Sequence, residues 1–269
     1  PFDDPLVIAR QGTVAKEIVE QTDENPEIFF IPVGGGGLIS GMSIYLKKKY
    51  PNSKIIGVES EDAPTLYTSM KNGEPTTLNQ VGLFVDGCAV KRIGNETFKI
   101  SSKYVDDVVL VSIDETCAAI KDIYEDTRIM SEPAGALSVA GMKKFILEND
   151  IKDKNILVVN SGANLNFDRL RHVTERAEVG EGKELLLSVN IPEIAGSFRS
   201  FCEVIGKRSI SEFNYRYASE KTTNVFVGIK TDNISSDSEK IFKDLKSNNY
   251  DYLDLTMDEV AKLHLRYMV

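Results

Sequence analysis

Four consecutive glycines, Gly34, Gly35, Gly36 and Gly37, constrain most what this chain can fold into. They stand between an apolar run, Ile28-Phe29-Phe30-Ile31, and a segment in which Leu38, Met42 and Tyr45 recur at helical spacing up to the lysines 47 to 49. Glycine loses more backbone freedom on folding than any other residue, so four in a row between a strand and a helix need a reason. An anion supplies one: N–H groups at a helix start, with no Cβ in the way, form a phosphate cradle. The alternative is a tight strand-to-helix turn with no ligand. Spacing narrows the kind of phosphate. Gly-x-Gly-x-x-Gly fails because its third glycine would fall on Ile39 or Ser40, and a P-loop fails because Met42 follows Gly41. A single terminal phosphate on a small cofactor fits better than a dinucleotide or a nucleoside triphosphate.

The segments around the glycines extend the pattern. Upstream, Thr13 is expected to cap a helix carrying Val14, Ile18 and Val19. Downstream, Lys54-Ile55-Ile56-Gly57-Val58-Glu59 reads as a second buried strand, which makes a βαβ unit with a parallel sheet. A short helix is expected at 64 to 70 and a turn at Asp86-Gly87. A strand at 108 to 111 precedes a helix opening at Asp114, with Cys117, Ile120, Ile123 and Tyr124 as its apolar stripe. Glu132-Pro133-Ala134-Gly135-Ala136-Leu137 opens a helix of small residues reaching about 147. Ile156-Leu157-Val158-Val159 reads as a last buried strand, and it stops at Asn160-Ser161-Gly162-Ala163-Asn164. Ligands of open α/β sheets sit outside the carboxyl ends of the strands, so the loops after 33 and 159 are expected to meet over one site.

The stretch Val179-Gly180-Glu181-Gly182-Lys183 reads as a flexible, charged linker. Beyond it come an alternating strand at 185 to 191, a helix at 195 to 205 with Phe198, Phe201, Cys202 and Ile205, strands at 209 to 217 and 223 to 230, a helix at 236 to 247 and a strand at 250 to 255. That order, βαββαβ, is the ferredoxin-like module. Two domains follow, 1–178 and 179–269, a comfortable division for 269 residues. The net charge of −9 argues against a nucleic-acid partner, and no apolar run approaches the ~20 residues of a membrane span. Cys88, Cys117 and Cys202 suit a reducing compartment, and His172 and His264 have no neighbours at metal-ligand spacing, so no metal is expected. With no initiator Met and an apolar end, both termini read as cuts through a longer protein.

Taken together, several motifs resemble the biosynthetic threonine dehydratase family: Pro1-Phe2-Asp3-Asp4, Gln11-Gly12-Thr13, the run from Gly34 to Leu38, Gly94-Asn95-Glu96-Thr97-Phe98, Glu132 to Ala136 and Ser161-Gly162-Ala163-Asn164. Further on, Gly196-Ser197-Phe198, Glu212-Phe213-Asn214-Tyr215-Arg216 and the 261–268 segment resemble the first of that family's two ACT-like modules. The resemblance implies a three-layer, tryptophan-synthase-like α/β domain that binds pyridoxal 5′-phosphate, followed by the α+β ACT-like module. It implies that the amides of Gly34, Gly35, Gly36, Gly37 and Leu38 hold the cofactor phosphate and that Ser161 meets the pyridine nitrogen as a neutral partner. It places Glu132 near the ring and Asp86 at the substrate side. On the strand at 209 to 217, Phe213, Tyr215 and Tyr217 share one face, which makes Tyr215 and Phe213 candidate effector contacts. The reaction implied is L-threonine (or L-serine) dehydration, giving 2-oxobutanoate and ammonia from threonine at the first committed step of isoleucine biosynthesis. Isoleucine and valine are the implied effectors, a homotetramer the implied assembly, and the cytoplasm, mitochondrial matrix or plastid the implied compartment.

Departures from the family pattern set the remaining expectations. The Schiff-base lysine lies upstream of Pro1 in the family, and neither Lys16 nor Lys47 sits in its motif, so this chain alone is expected to be inactive. Arg10 stands where the family has glycine: costly if the backbone needs positive φ, a surface change otherwise. In relatives that bind a divalent cation, a Glu, a carbonyl and an Asp hold it; Glu59 and Ala63 align, but Thr65 replaces the Asp. The second ACT-like module is missing. Two other readings compete: a non-enzymatic amino-acid sensor built on the ACT-like half, and a dinucleotide-dependent dehydrogenase using Glu59, which the glycine spacing disfavours.

Overall fold

The computed structural model describes residues 2–217, 222–232, 234–258 and 260, arranged as two compact units, 1–180 and 181–269. In the first, apolar runs form four parallel strands: β1 (Ile28–Pro32), β2 (Lys54–Ser60), β3 (Asp107–Val111) and β4 (Ile156–Val158), in the order β3-β2-β1-β4. Helices cover both faces. Helices α1 (Pro5–Gln21) and α2 (Gly37–Lys49) pack with Phe29, Ile31 and Ile55, while α5 (Ile113–Thr127) and α6 (Pro133–Asn149) pack with Phe30, Ile56 and Val58. Between them in sequence lie α3 (Thr65–Asn72) and α4 (Asn95–Tyr104), and a 3-10 turn at Asp86–Cys88 takes the place of the expected turn.

Several expectations are corrected. Helix α1 begins eight residues before Thr13, capped by Asp4, whose carboxylate accepts from the N–H groups of Leu6 and Val7. Thr13 is inside the helix and donates to the Arg10 carbonyl. The helix passes through Gly12 because it crosses α2 there: a Cβ on Gly41 would lie 2.2 Å from the Ile8 carbonyl oxygen. Arg10 is helical and exposed, which makes it a surface change. Strand β4 is half-buried rather than buried, because it is an edge of the sheet. Tyr124 is 43% exposed, outside the apolar stripe of α5.

Helix α7 (Leu170–Gly180) occupies a stretch with no helical signal in its mean hydropathy; its Arg176 forms a buried ion pair with Asp114 of α5, Nε to Oδ1 2.5 Å. The expected linker shrinks accordingly. Val179 and Gly180 close α7, where a Cβ on Gly180 would lie 2.0 Å from the Asp114 carbonyl oxygen, and Gly182 turns the chain at φ +66°.

The second unit contains β5 (Glu184–Pro192), α8 (Ser197–Ile205), β6 (Ile210–Tyr217), β7 (Thr222–Lys230), α9 (Ile234–Ser247) and β8 (Asp251–Asp254). Its sheet is antiparallel in the order β6-β7-β5-β8, the ferredoxin-like arrangement. Leu185, Leu187, Val189 and Ile191 alternate into one core with Phe201, Ile205, Ile241 and Leu245 from the two helices. The 261–268 segment of the family resemblance, with His264, lies outside the described residues.

Candidate cofactor site

The turn from β1 into α2 is built by the glycines, each for a separate reason. Gly36 takes φ +87°, ψ 0°, a left-handed conformation that reverses the chain into the helix. A Cβ on Gly35 would lie 2.3 Å from the Phe2 ring, and one on Gly34 3.0 Å from the Cys88 backbone. The bareness expected for an anion alone thus also serves two close packings. As the first turn of α2, Gly37 and Leu38 carry N–H groups that have no intrahelical acceptor. These residues line a cavity of about 360 Å³ together with Gly87, Cys88, Glu132, Ala134 and Ser161. The turns after β1 and β4 therefore meet, 128 residues apart at Val33 and Ser161, as the parallel sheet demands.

Each wall is braced. Thr97 of α4 donates to the Gly35 carbonyl at 2.8 Å, and Ser40 of α2 donates to the Thr97 carbonyl at 3.0 Å. Helix α4 has a glycine at its N-cap, and Asp3 caps it from 92 residues away. Its carboxylate accepts from the N–H groups of Asn95 (2.9 Å), Glu96 (2.8 Å) and Thr97 (3.1 Å), a negative charge on a helix N-terminus. Two motifs far apart in sequence thus fit one another. On the other side the Ser161 loop is laced to α6. The Glu132 N–H donates to the Gly162 carbonyl at 3.1 Å, and its Oε2 accepts from the Asn164 N–H at 3.0 Å. A Cβ on Gly162 would lie 2.0 Å from Glu132 Oε1, so a side chain there would displace the Glu132 carboxylate. Ser161 itself is exposed.

Glu59 ends β2 fully buried and takes hydrogen bonds from Thr65 Oγ1 (3.0 Å), Leu66 N (2.7 Å) and Tyr67 N (2.9 Å). It caps α3, with Thr65 occupying the place of the cation-binding Asp; burial pushes its carboxyl up to about 7 against the pull of these donors. Among the described residues no group of three His, Cys, Asp or Glu is placed to hold a metal ion. Burial, reinforced by the charges of Glu59, Glu132 and Asp86, pushes the Cys88 thiol up to about 12, which keeps it a neutral wall residue.

Asp86 is turned away from the cavity that Gly87 lines. Its Oδ1 accepts from the Gly87 N–H at 2.9 Å, and Oδ2 lies 3.2 Å from Arg169 Nη2. Among the described residues no lysine lines the cavity. Lys16 pairs with Glu20, and Lys47 with Asp106 and the Ser53 carbonyl. A larger groove, about 640 Å³, lies between α1 and α2, with Ile8, Ala9, Ile44 and Tyr45 in its lining. It lacks both the glycine turn and Ser161, and its lysines, Lys16 and Lys48, lie on the helices rather than on strand-end loops.

In the second unit Phe213 and Tyr215 share one face of β6 by register. Phe213 packs on Phe198 and Phe201 with ring centroids 4.8 and 6.5 Å apart, while Tyr215 is 46% exposed and donates to Glu193 Oε2 at 2.5 Å. That hydrogen bond raises the Tyr215 pKa. The side chain of Tyr217, expected on the same face, lies outside the described residues.

The donor set fits pyridoxal phosphate at its phosphate and ring ends: a glycine turn at a helix start, and a hydroxyl on the opposing loop of the same cavity. Sequence reading did not find Phe2, Asp3, Thr97, Cys88 or Arg169 as parts of the site. Their partners are too distant in the chain to leave a local signal, although Phe2, Asp3 and Thr97 fall in motifs of the resemblance.

Residues 1–162 match the family described as pyridoxal-phosphate dependent enzyme, and residues 175–265 match the C-terminal regulatory domain of threonine dehydratase. The chain is 51% identical over 271 residues to the biosynthetic L-threonine dehydratase IlvA of Pasteurella multocida, with all of this chain and 52% of the relative aligned. It is 46% identical to the chloroplastic biosynthetic threonine dehydratase of Arabidopsis thaliana, covering all of this chain and 45% of that one. The chain thus spans about half the length of the curated relatives it matches. Among solved structures, the processed form of threonine deaminase isoform 2 from Solanum lycopersicum superposes with a TM-score of 0.64 at 44% identity, covering 66% of this chain and 51% of that one. Serine racemase from Dictyostelium discoideum gives 0.56 at 36% identity, covering 62% and 53%. The glycine turn, the Ser161 loop and these likenesses agree: the chain belongs to the family of pyridoxal-phosphate-dependent enzymes, in its biosynthetic threonine dehydratase branch.

Proposed function

We propose that residues 1–178 contribute the phosphate and ring contacts of a pyridoxal-phosphate site in a protein that converts L-threonine, or L-serine, to its 2-oxoacid and ammonia. The observation that carries this reading is the single cavity shared by the 34–38 turn and Ser161. When bound, the cofactor supplies the electron sink that lets the substrate lose its α-proton and then its 3-hydroxyl. The amides of Gly34, Gly35, Gly36, Gly37 and Leu38 would hold its phosphate. Ser161, a neutral hydroxyl, would partner the ring nitrogen without protonating it, which would restrain the sink and favour elimination. Glu132, held by the Asn164 N–H, would lie near the ring, and the Asp86-Gly87 turn would border the substrate side.

Among the described residues no lysine lines the cavity, and this chain alone is expected to lack the group that anchors the cofactor covalently and moves the α-proton. Mixing the purified chain with pyridoxal phosphate and L-threonine is expected to give cofactor binding by equilibrium dialysis and no 2-oxobutanoate. Turnover would overturn the inactivity, and absence of binding would overturn the site.

Residues 179–269 are the ACT-like regulatory part in this reading, with isoleucine and valine as effectors and a homotetramer as the working assembly. The second reading, an amino-acid sensor without catalysis, draws on Tyr215 and Glu193, which present a hydroxyl and a carboxylate at the surface beside Phe213. Titration calorimetry with isoleucine and valine tests the effector site that reading needs; no heat from either removes the effector role of Tyr215 and Phe213 from this chain. No helix among the described residues is long and apolar enough to cross a membrane. The cytoplasm, or an organelle matrix in a eukaryote, is the compartment this reading implies.

A further inference from the structure

One wall of the cavity is a short turn held from within by the Cys88 N–H on the Val85 carbonyl at 2.9 Å and by Asp86 on the Gly87 N–H. The 3-10 turn Asp86–Cys88 spans three residues, and its N-cap, Val85, offers no side-chain hydrogen bond. It is nonetheless tightly confined. A Cβ on Gly87 would lie 2.9 Å from the Ala134 Cβ, and the missing Cβ of Gly34 points at the Cys88 backbone. A shift of the turn by a fraction of an ångström therefore either opens the glycine turn or presses on the start of α6.

A brace from outside the turn comes from the segment after the Ser161 loop. Arg169, in the 3-10 turn Phe167–Arg169 that leads into α7, donates from Nη1 to the Phe84 carbonyl at 3.1 Å and places Nη2 3.2 Å from Asp86 Oδ2. Asp86 passes the contact on through its other oxygen to the Gly87 N–H. One turn further, the His172 ring packs on Phe84 with centroids 5.1 Å apart. The guanidinium fork reads a carbonyl and a carboxylate at once, a geometry that a point charge such as an ammonium cannot reproduce.

We propose that Arg169 is a positioning residue that clamps the Phe84–Cys88 turn against the glycine turn, so that the strand-end loop carrying Ser161 also sets the wall behind Gly34. The inference adds a residue to the cofactor site proposed above and rests on that reading for its meaning, though its geometry does not. Arg169 reaches no substrate or cofactor atom; it acts through Asp86 and Phe84.

Cys88 makes the clamp measurable without activity. Its thiol is buried in the wall, Cys117 is buried in α5, and Cys202 is half-buried in the other unit. The full chain would be treated with iodoacetamide, and labelling of each cysteine followed by peptide mass spectrometry. Arg169→Ala is expected to speed labelling of Cys88 about tenfold and leave Cys117 at the wild-type rate. Arg169→Lys should fall between, and Asp86→Asn should raise Cys88 labelling two- to threefold because the carbonyl contact survives.

An unchanged Cys88 rate in Arg169→Ala overturns the clamp. So does a parallel rise at Cys88 and Cys117, which would mean general loosening or unfolding. Adding pyridoxal phosphate to the wild-type chain tests the cofactor reading separately. Protection of Cys88 supports that reading; no protection counts against it and leaves the clamp to be judged on the variants.

Discussion

The two sheets bury their strands in different ways, and the difference decides where each has room for chemistry. In the parallel sheet Phe29, Phe30 and Ile31 are consecutive and all fully buried, feeding separate cores on opposite faces. With helices on both faces, only the strand ends stay open, and unpaired backbone amides and polar side chains gather there. In the antiparallel sheet both helices feed a single core, and the edge strand β6 presents an aromatic pair divided between that core and solvent. A site in the first unit is made by loops around a cavity; a site in the second would lie on an exposed strand.

The largest test of this contrast is Phe201→Ala. Phe201 is fully buried and touches Phe213 and Tyr250 in the only core cluster described in its unit. Removing it is expected to cost about 3–5 kcal/mol in denaturant unfolding, and a loss below about 1 kcal/mol would mean that the second unit does not depend on one core.

Next comes Glu59→Gln. The folded Glu59 carboxyl titrates near 7 against an ordinary 4.5, so the fold holds that proton more tightly than the unfolded chain. Its contribution is complete below about pH 4.5 and is lost as pH rises through 7. Wild-type stability should therefore fall relative to the Gln variant between pH 4.5 and 7.5, by on the order of 3 kcal/mol. Parallel pH profiles would show that the donors of α3 outweigh burial and that the buried strand end is less dry than its exposure suggests.

The smallest effect on stability is expected at Gly36→Ala. Its positive φ and a Cβ 2.9 Å from the Thr97 Cβ predict a loss of about 1–2 kcal/mol, with a tenfold or greater drop in pyridoxal-phosphate affinity measured by dialysis. Retained affinity would make the glycine turn a packing device and detach it from the phosphate.

Much of the architecture was legible in the chain itself. The consecutive apolar residues 28–31 and 54–58 specify strands buried on both faces, because such runs have no polar face to give to water. The alternation at 185–191 specifies a one-sided sheet by the same physics. Helix α1 begins earlier than Thr13, a plausible cap in isolation, because Asp4 reaches past Pro5 to the N–H groups of Leu6 and Val7. Helix α4 has no side-chain cap of its own, and its N-terminus is satisfied by Asp3 from the far side of the glycine turn.

By itself, then, the sequence determined the strand order of chemistry: glycines after one strand, a serine after another, and no lysine in the family's anchoring motif. Tertiary structure decided what each glycine is for. Gly35 is bare because Phe2 lies on it, Gly34 because Cys88 does, and Gly162 because Glu132 does. These are contacts between residues tens of positions apart, and local spacing carries no record of them. Only the closed fold, at crystal-like packing density, forces a missing Cβ to be matched by another residue's atoms.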